Sequence, residues 1–230
     1  MIIKKTRSLC PVCNAVLEAS IEEENGGIWM ERTCPEHGQF RDLYWADAEL
    51  WKRFERYEAI GKGLENPQKE APPDGCPAFC GICSNHRSTT LLANMDLTNR
   101  CNLRCDFCFA NAQACGFIYE PTFDQVVAML RVLRDEKPIP CPAVQFSGGE
   151  PTMREDLPRI VQTAKELGFP QVQIATNGIK LANDPDYLKE LREAGLSTIY
   201  LHFDGVTRET NFKLKSDEKV IRNCEQAKVG

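Results

Sequence analysis

The sequence predicts an α/β protein in which a small cysteine-rich domain precedes a parallel sheet. From about residue 90 onward, strand-like segments alternate with helical segments, a pattern typical of βα units joined by right-handed crossovers. Before that point, cysteine pairs lie on both sides of a segment with the pattern of a hairpin. The 230 residues, 42% of them apolar, suffice for one or two domains with their own cores.

Residues 1–60 are predicted to form a small domain with a hairpin and a helix. Apolar positions bracket Asn25-Gly26-Gly27, and Asn-Gly is a favoured hairpin turn. In DAELWKRFERYEAI, apolar residues recur at helical spacing and Asp47 can cap the helix. Residues 61–89 follow. Their first half, GKGLENPQKEAPPDG, is rich in glycine, proline and charge, which is typical of a linker.

Residues 90–230 contain four strand patterns: TLLANMDLT, AVQFSGG, QVQIATNG and STIYLHFDG. The helical pattern after the first strand begins with a capping box formed by Thr122 and Gln125. Ligands of such folds bind at the carboxyl ends of the strands, where this sequence places polar and glycine-rich segments. The sequence ends inside a fourth helix, and four parallel strands would leave an open edge. We therefore expect a fragment or a natural truncation of a longer protein.

Composition excludes some classes of protein. The net charge is −5 and no block of lysine and arginine stands out, so nucleic acid is not an expected partner. No apolar run approaches the roughly 18 residues of a membrane span, and no signal peptide is present, which favours a cytoplasmic protein. The 12 cysteines are bunched along the sequence. In a reducing compartment, bunched cysteines bind metal more often than they form disulfides.

Three cysteines at CxxxCxxC spacing, Cys101, Cys105 and Cys108, follow the first predicted strand of the sheet. Three thiolates can hold three irons of a 4Fe-4S cluster, whereas such clusters normally take four cysteines. The spacing therefore suggests an open iron that binds another molecule. A structural zinc site or an accidental cysteine cluster is the alternative.

This run has a setting that is found in a known family. Phe107 precedes Cys108, and the next predicted strand ends in Gly148-Gly149-Glu150-Pro151. With these features the sequence resembles the radical S-adenosylmethionine (SAM) superfamily. The resemblance implies that the three cysteines bind a 4Fe-4S cluster and that SAM chelates its fourth iron. It also implies a partial (β/α)6 barrel, of which residues 90–230 would supply about four units.

The resemblance further implies contacts to SAM outside the cysteine run. Gly148, Gly149 and Glu150 would receive its methionyl amino group. Asn177 and His202 occupy positions from which the third and fourth strands of such enzymes often touch SAM, although many relatives carry serine in place of His202. In this superfamily, an electron from a ferredoxin- or flavodoxin-like donor enters SAM through the cluster. SAM then cleaves to methionine and a 5'-deoxyadenosyl radical, while the protein orients the reactants.

The first cysteine run along the chain, Cys76, Cys80 and Cys83, has the same CxxxCxxC spacing but lacks a preceding strand. It predicts an auxiliary 4Fe-4S cluster. The fourth ligand stays open, since His86, Cys115, Cys141 and an external substrate are all candidates. A zinc knuckle or a second SAM-binding cluster is the alternative.

The motifs CPVC and CPEHG flank the predicted hairpin. Cys10, Cys13, Cys34 and His37 would give four ligands suited to tetrahedral zinc or a single iron, in a closed structural site. The alternative is a buried histidine with incidental thiols. If the four residues do bind a metal ion, the domain would be rubredoxin-like or zinc-ribbon-like.

Over nearly the whole chain, the order of motifs is similar to the tetraether lipid synthase family of archaeal radical SAM proteins with doubled CxxxCxxC motifs. This likeness implies carbon–carbon bond formation between lipid alkyl chains by a cytoplasmic or membrane-peripheral enzyme. The same family includes methyltransferases that act on a pterin in methanopterin biosynthesis, which is the alternative. A third hypothesis is a catalytically incomplete iron–sulfur module. The residues match machinery common to the first two.

Overall fold

The computed structural model describes residues 1–59, 61–70, 82–105, 108, 110 and 116–202. The chain divides into two compact units, residues 1–60 and 61–230, and each has its own hydrophobic core. Among the described residues, no helix is long and apolar enough to cross a bilayer.

The first unit is a four-stranded antiparallel sheet followed by a helix. Its strands pair in sequence order, and the elements are β1 (Ile2–Leu9), β2 (Val16–Glu24), β3 (Gly27–Cys34), β4 (Gly38–Trp45) and α1 (Ala48–Glu55). The turn between β2 and β3 lies at Asn25 and Gly26, which both have positive φ, as a type I′ hairpin turn requires. The Asp47 carboxylate caps α1 by accepting a hydrogen bond from the Leu50 N–H at 2.9 Å.

Strands β1 and β4 are additions to the predicted hairpin. Neither strand has a buried residue. A strand without a buried face lacks the clear alternation of apolar and polar residues from which strands are predicted. By contrast, β2 alternates clearly, with Leu17, Ala19 and Ile21 buried.

The second unit is built from repeated βα elements. Four parallel strands pair in sequence order: β5 (Ala93–Asp96), β6 (Ala143–Ser147), β7 (Gln171–Thr176) and β8 (Thr198–Leu201). The helices are α2 (Phe123–Arg134), α3 (Leu157–Glu166), α4 (Ile179–Asn183) and α5 (Pro185–Glu193), and a 3-10 helix spans Pro151–Met153. The predicted capping box of Thr122 and Gln125 begins α2. This parallel sheet is the partial sheet that the α/β prediction requires.

The helices cover one face of the parallel sheet. Strand residues Met95, Phe146 and Ile174 are buried there. The helices contribute Val126 and Leu130 from α2 and Leu157, Ile160, Val161 and Ala164 from α3. Burying a large apolar side chain contributes roughly 1.5–3 kcal/mol, so this core is the main source of the unit's stability. The alternate strand residues lie on the opposite face and include amides and a carboxylate.

Part of the predicted linker packs against this second unit. Asn66 donates a side-chain hydrogen bond to the Asp135 carbonyl at 2.7 Å and accepts one from the Lys137 N–H at 2.7 Å. Thr90 donates to the Glu136 carboxylate at 2.7 Å. These contacts lie in the turn that precedes β6, at the amino end of the sheet. The predicted fourth helix of the barrel lies outside the described residues.

Candidate metal and cofactor sites

The motifs CPVC and CPEHG, called the knuckles of the first unit from here on, come together at one end of its sheet. Cys10 and Cys13 lie between β1 and β2, while Cys34 and His37 flank the β3–β4 turn. Their ligand atoms all lie within 4.8 Å of one another. Cys10 and Cys34 are buried, whereas Cys13 and His37 are exposed. In the described part of the chain, this is the one group of at least three such residues that could hold a single metal ion.

The distances between these ligand atoms fit a tetrahedral ion. The Cys13 and Cys34 sulfurs are 3.9 Å apart, and His37 Nδ1 lies 3.5 Å from Cys34 Sγ and 3.8 Å from Cys10 Sγ. Zinc–ligand bonds of about 2.3 Å to sulfur and 2.0–2.1 Å to nitrogen give tetrahedral edges of about 3.6–3.8 Å. These three distances match the edges of a zinc or single-iron site, and the other pairs of ligand atoms lie within 4.8 Å of each other.

The loop that carries Cys10 is shaped to support a thiolate. The Cys10 N–H donates to the Ala15 carbonyl at 2.8 Å, and Asn14 has a φ of 60°. The Val12 N–H then points at Cys10 Sγ at 3.4 Å. Burial raises the pKa of the Cys10 thiol, but the backbone N–H groups of Cys13 and Val12 outweigh it and hold that pKa below its usual value. A lowered pKa favours the thiolate that metal ions bind.

The predicted cluster cysteines follow β5 in the second unit. Leu103 is buried between Cys101, Cys105 and Ile179, so an apolar residue inside the motif anchors the loop. Cys101 and Cys105 are half-buried and Cys108 is exposed. Burial raises the pKa of the Cys101 thiol, and the nearby charges of Glu150 and Cys105 raise it further. A bound iron would offset this penalty by stabilising the thiolate.

Gly148 and Gly149 bring the loop after β6 against the chain that leads into Cys101. The Gly149 N–H donates to the Thr98 carbonyl, and the Glu150 N–H donates to the Arg100 carbonyl, both at 2.7 Å. A Cβ at Gly148 would lie 2.1 Å from the Thr98 oxygen, and one at Gly149 would lie 2.2 Å from the Arg100 oxygen. Only glycine permits this approach, so the two loops are joined through their backbones.

Glu150 is almost fully buried, with 1% of its surface exposed. Its Oε1 accepts hydrogen bonds from the Thr152 N–H at 3.1 Å and from the hydroxyls of Thr152 and Thr176 at 2.6 and 2.7 Å. Its Oε2 accepts one from the Asn177 N–H at 2.9 Å. These donors are all neutral. A buried carboxylate is stabilised by a cation, so the remaining acceptor position of Oε2 suits an ammonium group.

Asn177 links the end of β7 to the cysteine loop. Its side-chain N–H donates to the Asn102 amide oxygen at 2.8 Å, and its own amide oxygen accepts from the Ile179 N–H at 3.0 Å. The side chain predicted to touch SAM therefore contacts the loop between Cys101 and Cys105. His202 follows β8, and its backbone N–H donates to the Thr176 carbonyl at 2.9 Å.

A charged network behind these loops was not predicted from the sequence. The Arg154 guanidinium, 5% exposed, bonds both Asp156 oxygens at 2.7 and 2.9 Å. It also donates to the carbonyls of Leu97 at 3.0 Å and Pro121 at 2.7 Å. It thereby ties β5, the start of α2 and the Glu150 loop together. The sequence signal for this network is Arg154, three residues after Pro151. A single arginine has no partner at a characteristic spacing, so the sequence alone does not indicate its contacts.

Glu120 forms the second part of this network. Burial raises its pKa, but hydrogen bonds from the Thr98 hydroxyl and the Arg100 side chain, both at 2.6 Å, hold the pKa below its usual value. Thr98 and Arg100 are the residues whose carbonyls receive the glycine loop. The network therefore fixes the backbone on which both predicted SAM-contacting loops rest.

Other predicted ligands are placed only in part. Phe107, Cys76 and Cys80 lie outside the described residues, so the geometry of the first cysteine run is not available for comparison with an iron–sulfur site. Cys83 is buried, and its carbonyl accepts the His86 N–H at 3.0 Å. Cys141 is buried in the core of the second unit and donates its thiol to the Ala143 carbonyl at 3.2 Å.

Comparison with known proteins identifies the family. A family model described as the Radical SAM superfamily matches residues 95–229. The chain belongs to the radical SAM superfamily. A second model, described as the HMPTM N-terminal zinc ribbon domain, matches residues 2–46. The predictions of a radical SAM enzyme sequence and of a metal-knuckle domain before it are confirmed at this level.

Two curated relatives and a solved structure illustrate the similarity. The chain is 53% identical, over 99% of its length, to 7,8-dihydro-6-hydroxymethylpterin dimethyltransferase from Methanocaldococcus jannaschii, and covers 45% of that protein. It is 37% identical to Fe-coproporphyrin III synthase from Methanosarcina barkeri, over 59% of this chain and 34% of that protein. The crystal structure of methylornithine synthase aligns with 60% of this chain and 41% of that chain, at 21% identity and a TM-score of 0.47. The chain thus spans about half the length, or less, of these relatives.

Proposed function

We propose that this chain is the cofactor-binding part of a radical SAM methyltransferase that acts on a pterin. The 53% identity to a dihydropterin dimethyltransferase over 99% of the chain carries this conclusion. It favours the pterin alternative over lipid carbon–carbon coupling. Enzymes of this superfamily use SAM and a reductant, so the partners would be SAM, an electron donor and a pterin. The protein would act in the cytoplasm.

The residues at the carboxyl ends of the strands fit the cluster and SAM. A reduced 4Fe-4S cluster with bound SAM supplies hydrogen-atom abstraction from unactivated carbon. In this proposal Cys101, Cys105 and Cys108 hold three irons, and Leu103 keeps their loop folded. Glu150 Oε2 accepts the methionyl ammonium, since its Oε1 already accepts three hydrogen bonds.

Asn177 has a positioning role in this proposal. Its backbone N–H fixes Glu150, while its side chain fixes Asn102 inside the cysteine loop. The two groups that must meet SAM, the cluster loop and the carboxylate, are therefore held by one residue at the end of β7. Correct orientation of a reactant in this way can contribute several kcal/mol to a rate.

The knuckles of the first unit are proposed to hold zinc. The 3.5–3.9 Å distances between three pairs of their ligand atoms and the match to a zinc ribbon support this assignment. A site with four protein ligands has no open position, so its role would be structural. The first cysteine run, Cys76, Cys80 and Cys83, remains a proposed auxiliary 4Fe-4S site.

The cofactor half of the proposal is tested by SAM cleavage. Anaerobically reconstituted protein with dithionite should release 5'-deoxyadenosine from SAM, and Cys105→Ala should abolish that release. Cys141→Ala is the matched control, since this thiol is buried in the core and should leave cleavage intact. Cleavage at the normal rate by Cys105→Ala would contradict the assignment of the cluster.

The substrate half is tested with the full-length polypeptide. Anaerobic incubation of 6-hydroxymethyl-7,8-dihydropterin with the reconstituted protein, SAM and dithionite should yield a product heavier by one or two methyl groups in mass spectrometry. An unmodified pterin, together with coupling of an offered diether lipid, would reverse the choice between the two substrate classes.

A further inference from the structure

The parallel sheet has one apolar face and one polar face. In β6, Val144 and Phe146 face the helices and are fully buried, while Gln145 and Ser147 alternate with them on the other face. Parallel strands that are covered on both faces usually read as continuous apolar runs. This alternation shows that the second face, opposite the helices, is not built to pack against apolar groups.

A row of amides crosses this polar face. Asn94 pairs in register with Gln145, and Gln145 pairs with Gln173. Gln173 donates its side-chain N–H to Gln145 at 2.6 Å, Gln145 donates to Asn94 at 2.6 Å, and Gln171 donates to Gln173 at 2.9 Å. Each amide bonds the next. Gln173 is buried, whereas the exposed Asn94 and the half-buried Gln145 retain further donors and acceptors toward the open side.

The next row lies closer to the predicted SAM site. Asp96 pairs in register with Ser147, the residue before Gly148, and Ala175 pairs with Tyr200. Asp96 is exposed, and no donor in the described part of the chain bonds its carboxylate. Tyr200 is 63% exposed. Ser147 and Ala175 have small side chains, so this row forms a shallow depression with a carboxylate at one end and an aromatic ring at the other.

We propose that this polar face, Asn94, Asp96, Gln145, Ser147, Gln173, Ala175 and Tyr200, binds the flat heterocycle of the substrate, with Asp96 as its main anchor. A pterin carries a ring N–H beside an exocyclic amino group, and a carboxylate can accept both hydrogen bonds at once. Three strand spacings separate Asp96 from Tyr200, about 14 Å, which is enough for a bicyclic ring to lie over Ser147 and Ala175.

The position of this surface agrees with the proposed chemistry. Asp96 is two residues before Thr98, whose carbonyl receives the Gly149 N–H, so the anchored ring would lie next to the Glu150 loop. An alkyl chain on the same face would cover the amides and the carboxylate without offering them hydrogen bonds, which is unfavourable. The inference rests on the proposed pterin substrate and extends it to named residues.

The test uses two fluorescent ligands that differ at a single group. 6-Hydroxymethylpterin offers two adjacent donors, whereas 6-hydroxymethyllumazine replaces the amino group with a carbonyl. The native carboxylate should prefer the pterin. Asp96→Asn should weaken pterin binding by about ten- to a hundredfold, because the amide offers a donor where an acceptor is needed, and should shift the preference toward the lumazine. Asp186→Asn, an exposed carboxylate in the first turn of α5, is the matched control and should change neither affinity.

The ratio of the two affinities does not depend on the fraction of folded protein, so this ratio can be measured even for a variant that folds poorly. An unchanged ratio in Asp96→Asn, with pterin bound as by the native protein, would overturn the role of Asp96 and leave the pterin substrate standing. If the native protein bound neither ligand, both this surface and the pterin substrate would be wrong. Release of 5'-deoxyadenosine by the same sample would still report separately on the cofactor chemistry.

Discussion

A methyl group added at Gly149 would lie 2.2 Å from the Arg100 carbonyl oxygen and 2.9 Å from that of Asn99. These are backbone atoms, so no flexible side chain can move aside. The φ of Gly149 is outside the left-handed range, and the effect of Gly149→Ala therefore comes from the collision alone. To relieve it, the loop after β6 must separate from the chain that leads into Cys101.

That separation has a cost that the structure lets us add up. It breaks the hydrogen bonds from Gly149 to Thr98 and from Glu150 to Arg100, at about 1 kcal/mol each. Residual crowding adds about 1–3 kcal/mol. We expect Gly149→Ala to lower the free energy of unfolding of the second unit by about 3–5 kcal/mol, and to displace Glu150 from the end of β7.

Urea unfolding and iron and sulfide analysis after reconstitution check this expectation. Gly116→Ala is the matched control, since Gly116 also lies in the second unit but has no atom within 4 Å of the added methyl group. Its φ of +73° predicts a cost of about 1 kcal/mol and full cluster content. If Gly149→Ala were as stable as the native protein and loaded a full cluster, the argument that these glycines join the two loops would be refuted.

Three further outcomes are expected. Elemental analysis should find one metal ion per chain fewer in Cys13→Ala than in the native protein, whereas the control Cys141→Ala should keep the native metal content. An unchanged metal content in Cys13→Ala would exclude the four-ligand site. Arg154→Met should lower the free energy of unfolding by about 2–4 kcal/mol in urea, because two buried carbonyls and Asp156 lose their donor, and a cost below 1 kcal/mol would contradict this. The Arg154 side chain holds the pKa of Asp156 below its usual value, so this pair stabilises the fold above about pH 4 and the contribution is lost as pH falls further. Between pH 6 and 3, the free energy of unfolding in urea should therefore fall less for Asp156→Asn than for the native protein. An equal fall in both proteins would contradict a stabilising role of the pair.

The sequence allowed the elements with a clear buried face to be predicted. The α2 pattern with its capping box and strands β5, β6 and β7 combine local signals with burial on one side. Strand β8 was also predicted although it has no buried residue, and its threonine, isoleucine and tyrosine are residue types typical of strands. Strands β1 and β4 were missed because neither has a buried face. The five-residue α4 was missed because it is too short for helical periodicity to appear.

The candidate site was predictable where it depends on spacing along the chain. Cysteines three or four residues apart can be recognised from the sequence, and so can a Gly-Gly-Glu-Pro segment after a strand. The bonds from Asn177 to Asn102 and from Arg154 to Pro121 join residues far apart in sequence. Nothing local marks such partners. The glycines were predicted to approach the cofactor, but in the structure they also approach the backbone of Thr98 and Arg100.

The antiparallel sheet of the first unit has two separate sources of cohesion. At the hairpin end, Ile21, Ile28 and Trp51 form an apolar cluster with α1. At the other end, Leu17 and Phe40 are the main apolar companions of the thiols. Whatever ion joins the four ligands thus secures only half of the module. We expect chelation of such an ion to fray the knuckle end first, while amide protons near the helix stay protected from exchange.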